Sequence, residues 1–165
     1  MCTERILVCN HFYLDELFPK EICDKEGINA LTRIDQRILK VIDSFRDLIG
    51  KPTWINNWIH GGNIDEAGWR DPNTSTGAKM SAHKQIWDIN GQLVSLAVDL
   101  HVSQMTGSQL NMVFLTNAKE FYTLGVRCIE HYSLTPGWLH LDLRPRQVDG
   151  IAVVDRTSIV MTIKV

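Results

Sequence analysis

The sequence predicts an α+β domain in which helices pack against a mostly antiparallel sheet. Three observations predict it. Residues 30–49 repeat apolar side chains at three- and four-residue steps, as an amphipathic helix does. The C-terminal half alternates apolar and polar residues with a period of two, as strands do. Between them lies a stretch rich in Gly, Asn, Asp, Ser and Thr that suits neither. The 165 residues fit a single domain, 1–165, with enough chain to bury a core.

The elements follow in order. Leu31, Ile34, Ile38, Val41, Ile42, Phe45, Leu48 and Ile49 form the stripe of the first helix. Asn29 is placed to cap it, and Gly50-Lys51-Pro52 to stop it. Thr53-Trp54-Ile55-Asn56 reads as a short strand, and residues 60–80 as a long loop of the kind that often carries function. A second helix is expected over 108–124, with Gly125 as its C-terminal cap. Strands are expected over 95–102, 126–132, 137–143, 150–154 and 158–164. No repeat, low-complexity tract or linker interrupts the order.

Composition excludes several classes. Apolar residues at 44% and charged residues at 22% describe an ordinary globular protein rather than a disordered or fibrous chain. A net charge of −2 gives no electrostatic footprint for nucleic acid, and Arg144-Pro145-Arg146 is too short a basic spot to supply one. Cys2, Cys9, Cys23 and Cys128 form no C-x-x-C pair, so a thiolate zinc site is not expected and the cysteines read as reduced, mostly buried thiols. The apolar run Ile6-Leu7-Val8 is too short for a signal peptide, and no apolar stretch is long enough to span a membrane. The expectation is a chain made in the cytoplasm, with no membrane partner.

Two strands carry the chemistry. In Trp138-Leu139-His140-Leu141-Asp142-Leu143-Arg144 the three leucines share one face, and Trp138, His140, Asp142 and Arg144 share the other. In Ser95 to Val102, Leu96, Val98, Leu100 and Val102 take the core face, leaving Ser95, Ala97, Asp99 and His101 opposite. Neighbouring strands would bring Asp99, His101, His140 and Asp142 onto one surface, with His83 at the end of the polar loop. Imidazole and carboxylate are ordinary zinc ligands, and three protein ligands leave a coordination position open for chemistry. On the residues alone, a solvated strand face with scattered His and Asp accounts for the pattern equally well.

The segments Ser81-Ala82-His83, Ala97-Val98-Asp99-Leu100 and Trp138 to Arg144 resemble the signature of the zinc D-Ala-D-Ala carboxypeptidase and murein endopeptidase superfamily, whose fold is shared with the hedgehog signalling domain. The likeness covers most of the chain, with the helix ending at Gly50-Lys51-Pro52, the strand after it and Gly68-Trp69-Arg70 in the family's order. It is strongest for the branch found in phages and bacterial endopeptidases. The resemblance implies one zinc per chain, held by His83, Asp99 and His140. It implies that Arg70 steadies a substrate carboxylate or carbonyl oxygen, and that Ser81 supports the first ligand by hydrogen bonding.

The chain departs from the family in two places. Fifteen residues separate His83 from Asp99, where the family usually has about six. The extra segment, with Asp88, Asn90 and Gly91, reads as an inserted hairpin or turn, and Asp88 is the substitute ligand should Asp99 not serve. Relatives often carry a Glu or His two or three residues before the last ligand, where this chain has Gly137 and Trp138. The general base must then come from elsewhere. Asp142 is the first choice, because it shares a strand face with His140, and Glu130 and His131 are next.

The loop and the insertion are expected to wall a cleft, lined by Trp58, Trp69, Trp87 and Trp138, with Trp54 in the core. His101 reads as a rim residue and His60 as a surface residue. The resemblance implies a peptidase, monomeric and phage- or prophage-encoded, that hydrolyses peptidoglycan peptide bonds as a carboxypeptidase or an endopeptidase. It would act at the bacterial cell wall after release or from a virion. The alternative is a non-catalytic binding or virion structural module on the same fold.

Overall fold

The computed structural model describes residues 5–156 and 158–165, so Cys2 lies outside the described residues. The fold is α+β, with a six-stranded, mostly antiparallel sheet and helices packed on one face. Among the described residues, no helix is long and apolar enough to cross a membrane.

The chain opens with two short helices, α1 (Leu14–Leu17) and α2 (Lys20–Glu26), and a 3-10 turn over Gly27–Arg33. Phe12, Leu14, Leu17 and Phe18 are buried in the main core. The helix expected over 30–49 begins only at Arg37, as α3 (Arg37–Ile49). The reason is a competing partner for the backbone. Ser95 N–H donates to the Arg33 carbonyl at 2.8 Å, and Asp35 N–H donates to the Ser95 carbonyl at 3.0 Å. Ile34, just past the 3-10 turn, is therefore extended and bridges to Ser95. Asn29 lies inside the 3-10 turn, away from the start of α3, and it is the Asp35 carboxylate that accepts from Arg37 N–H at 2.9 Å. Ile34 still reaches the core, which is why the apolar rhythm ran on unbroken.

Helix α3 buries Ile38, Val41, Ile42 and Phe45 and ends at Gly50, whose φ of 61° permits the left-handed cap. The second predicted helix is two, α4 (Gly107–Thr116) and α5 (Ala118–Leu124), broken at Asn117. The Asn117 side chain donates to the Val113 carbonyl at 2.8 Å. Phe121 meets Phe45 at 5.9 Å and Phe114 at 5.1 Å between ring centroids, which locks α5 to α3 and α4.

The sheet runs β1 (Thr53–Trp54), β4 (Ala97–Val102), β6 (Leu139–Asp142), β5 (Cys128–Glu130), β7 (Ile151–Asp155), β8 (Ser158–Ile163) in spatial order. Neighbours are antiparallel except β5 and β7. Val98, Leu100, Leu139, Leu141, Ile129, Ile151 and Val153 belong to the helix-side core. The inserted segment folds as a hairpin, β2 (Trp87–Ile89) and β3 (Gln92–Val94), turned by Asn90 and Gly91 at φ 56° and 84°.

The face opposite the helices is also covered. The polar loop lies over it and pairs with β4: Asp99 N–H donates to the Ala67 carbonyl and Leu96 N–H to the Ala82 carbonyl, each at 2.8 Å. Its interior is thus less solvent-facing than its composition suggests. Ala67, Trp69, Ala82, His83 and Lys84 are all buried.

Candidate metal centre

Three elements bring the site together. In the β4–β6 register Asp99 stands directly opposite His140, and Ala97 opposite Asp142. The loop delivers His83 from above, because Arg70 N–H donates to the His83 carbonyl at 2.9 Å and the Ser81 hydroxyl accepts from His83 N–H at 3.3 Å. His83, Asp99 and His140 are 2%, 8% and 6% exposed, too buried for a solvated strand face.

The polar atoms converge. Asp99 Oδ1 lies 2.7 Å from His140 Nδ1 and 3.3 Å from His83 Nε2, and the two imidazole nitrogens are 3.2 Å apart. Ligands about 2.0–2.1 Å from a tetrahedral ion sit roughly 3.3 Å from one another. The described residues contain this one group of His, Cys, Asp or Glu able to hold a metal ion. The second imidazole nitrogen of His83, Nδ1, donates to the Gly68 carbonyl at 2.8 Å, which leaves the Nε2 lone pair facing the centre. Gly68 is required there, since a Cβ would come within 2.3 Å of the Leu17 carbonyl oxygen.

Electrostatics suit a cation. Burial pushes the His83 pKa down, against the pull of Asp99. Burial alone would raise the Asp99 pKa, but His83 and His140 outweigh it and hold the carboxyl well below the usual range. For His140 burial opposes the charge, yet its bond to Asp99 prevails and the pKa rises. The other Asp99 oxygen, Oδ2, accepts from Arg70 Nη2 at 3.2 Å, so Oδ1 is the one presented to an ion.

The remaining candidates separate clearly. Asp142 is fully buried and already engaged: it accepts from Arg144 N–H and Nε at 2.8 Å, Arg144 Nη2 at 2.5 Å and Arg146 Nη2 at 3.4 Å. A carboxylate so paired has no lone pair to offer as a base. It braces the structure instead, because Arg144 also donates to the Met80 carbonyl at 2.9 Å and lies over Trp87, fastening the segment that leads to His83. Glu130 sits one step beyond the Ile129–Leu141 pair, beside His140. It lines the same cavity, of about 460 Å³, and its carboxylate makes no hydrogen bond among the described residues. His131 points away and pairs with the Ser133 hydroxyl at 2.9 Å.

Asp88 lies in the β2–β3 hairpin, where its carboxylate accepts from Gly91 N–H at 2.7 Å, outside the cluster. His101 stacks on Trp54 at 5.8 Å and leans on Trp138 at 5.9 Å, at the rim. Trp54, expected in the core, is therefore half-buried at the edge of the site face. Trp138 lines the cavity. Trp69 does not: it is 2% exposed and packs on Phe18. Trp58 is tied by its indole N–H to the Phe18 carbonyl at 2.9 Å, on the N-terminal helices, and Trp87 lies beneath Arg144. His60 is exposed. The Arg144 brace went unread in the sequence, though Arg144 and Arg146 flank Asp142 at the i+2 and i+4 positions.

No protein-family model, curated protein or solved structure matches the chain.

Proposed function

We propose that the chain is a zinc-dependent peptidase of the D-Ala-D-Ala carboxypeptidase and murein endopeptidase type, acting on peptide bonds of bacterial peptidoglycan. The buried convergence of His83, Asp99 and His140 on one point, open to a cavity, is the observation that carries it. The substrate class rests on the sequence resemblance, and so does a phage or prophage origin with action at the cell wall. Zinc suits a donor set of two imidazoles and one carboxylate.

The bound ion supplies Lewis acidity toward a carbonyl oxygen and toward water. The chain's own residues do the rest. Glu130 takes a proton from the attacking water and passes it to the leaving amine. Arg70, fixed by Asp99 and by a 2.5 Å bond from its Nε to the Glu66 carbonyl, holds a guanidinium N–H at the cavity wall for a carbonyl oxygen or carboxylate. Ser81 steadies His83 through the backbone.

Elemental analysis of purified protein tests the metal. The expected result is about one zinc per chain in the wild type, and none in His83→Ala. Digestion of purified peptidoglycan tests the reaction. Glu130→Gln is expected to keep its zinc and lose activity by about 10²–10⁴-fold. Zinc without any hydrolysis of wall, stem peptide or cross-link would move the reading to a binding module on the same site.

A further inference from the structure

The β2–β3 hairpin lies between His83 and Asp99 in the chain, yet among the described residues none from β2 or β3 lines the metal cavity. It is instead a fixed body. Val94 is buried, and Trp87 and Ile89 pack on the main core. Its base is tied to the 3-10 turn: Arg33 Nη1 donates to Gln85 Oε1 at 2.6 Å, and the Gln92 amide donates to the Thr32 carbonyl. Gln85 Oε1 also accepts from the Trp69 indole at 3.1 Å, and the Gln85 amide donates to the Leu93 carbonyl at 3.2 Å.

The segment that carries His83 needs such a body. Residues 80–83 belong to no helix or strand, so no regular ladder holds their backbone. Four consecutive carbonyls are held one at a time instead. Met80 accepts from Arg144 Nη1 at 2.9 Å, and His83 from Arg70 N–H at 2.9 Å. The two between them are held from the hairpin. The Ser81 carbonyl accepts from the Trp87 indole at 3.1 Å, besides Lys84 N–H at 3.2 Å within its own turn. The Ala82 carbonyl accepts from Leu96 N–H at 2.8 Å and from the Ser95 hydroxyl at 3.3 Å, just where the chain leaves β3. Ser95 is itself fixed, being fully buried and paired through its backbone to Arg33 and Asp35.

We propose that the hairpin is a strut that sets the first metal ligand in place, with Trp87 and Ser95 as positioning residues for His83. Asp99 and His140 are set by the β4–β6 register, but His83 arrives on an irregular segment and has no such register. With the strut, the three ligand atoms converge before an ion enters. Without it, the segment spends part of its time elsewhere, and the apparent affinity for the ion falls by the fraction of chains that remain competent. Supports of this kind, one step behind a ligand, typically govern metal affinity by about 10–100-fold. The proposal rests on the metal centre and is independent of the reaction that the centre performs.

Zinc affinity by chelator competition, read beside the absorption spectrum of the cobalt-loaded protein, tests the proposal. Trp87→Phe keeps an aromatic ring beneath Arg144 and removes the indole N–H. It is expected to weaken zinc about tenfold and to alter the cobalt bands, which report ligand geometry. Trp58→Phe is the matched control, because it also removes one indole N–H from a backbone carbonyl, that of Phe18, away from the metal centre. It should leave both readouts at the wild-type values. If Trp87→Phe does not fold, Ser95→Ala carries the same test by removing the hydroxyl from the Ala82 carbonyl, with zinc expected to weaken by about three- to tenfold. Wild-type zinc affinity and cobalt bands in the tested variant, an equal loss in Trp58→Phe, or a wild type that binds no zinc would overturn the proposal. Peptidoglycan digestion by the wild type is scored separately. Digestion with no shift in zinc affinity defeats the strut alone, and a shift without digestion defeats the peptidase reading alone.

Discussion

Asp142 and Glu130 show how neighbouring carboxylates on one sheet face divide their work. Both line the metal cavity, but two arginines and a backbone N–H saturate Asp142, whereas Glu130 faces the space with no hydrogen bond or ion pair among the described residues. Asp142→Asn would keep the shape and lose the charge that holds Arg144 and Arg146. Breaking a fully buried pair costs about 3–5 kcal/mol, and Arg144, being 19% exposed at its side chain, recovers part of that from water. The variant should therefore melt several degrees lower in calorimetry, yet bind about one zinc and hold turnover within roughly tenfold. An unchanged melting temperature with turnover down by about 10²-fold or more would make Asp142 the base and remove Glu130 from that role.

At the scale of elements, the sheet was more legible than the helices. Alternation in Ser95–Val102 and Trp138–Arg144 placed Asp99 and His140 on one face, and the β4–β6 register sets them opposite each other. Asn90-Gly91 announced the hairpin because few residue pairs take two positive φ values in succession. The first helix was misread because Ile34 packs in the core from an extended segment, and an apolar count does not reveal that Ser95 claims its backbone. Alternation offered Asp142 as the first choice of base because it gives the side a residue faces, never the partners that engage its oxygens. The second helix, expected from 108, starts at Gly107, where Thr106 accepts from Gln109 N–H at 3.3 Å and Gln109 returns the contact by accepting from Thr106 N–H at 2.9 Å. Thr106→Ala should cost about 1 kcal/mol, read as a lower denaturant midpoint at unchanged slope, with zinc content intact. A loss of zinc would mean that α4 reaches the site through β6, against which it packs.

For the whole molecule, one group that ties stability to pH outside the metal centre is Glu16. It joins the N-terminal helices to the loop that covers the site: its carbonyl accepts from Asn56 N–H at 2.9 Å, and Asn56 Oδ1 accepts from Ala67 N–H at 2.9 Å. Burial pushes the Glu16 carboxyl up from 4.5 to about 7, against the pull of Tyr13 N–H and of Arg5, 3.7 Å away. Because the folded value lies above the unfolded one, the folded chain holds the extra proton between about pH 4.5 and 7. Its contribution is full below 4.5 and is lost as the pH rises through about 7, by at most about 1.4 kcal/mol per unit. Glu16→Gln keeps an acceptor for Tyr13 N–H and carries no charge, so it should melt above the wild type at pH 8.5 and level with it near pH 4.5. Acid also protonates the metal ligands, but that titration is common to both proteins and cancels in the difference. The measurement is the melting temperature of the two, side by side, across that range. A gap that widens toward acid would mean that the ionised carboxylate is held by Arg5 and that the N-terminal helices depend on the pair rather than on the proton.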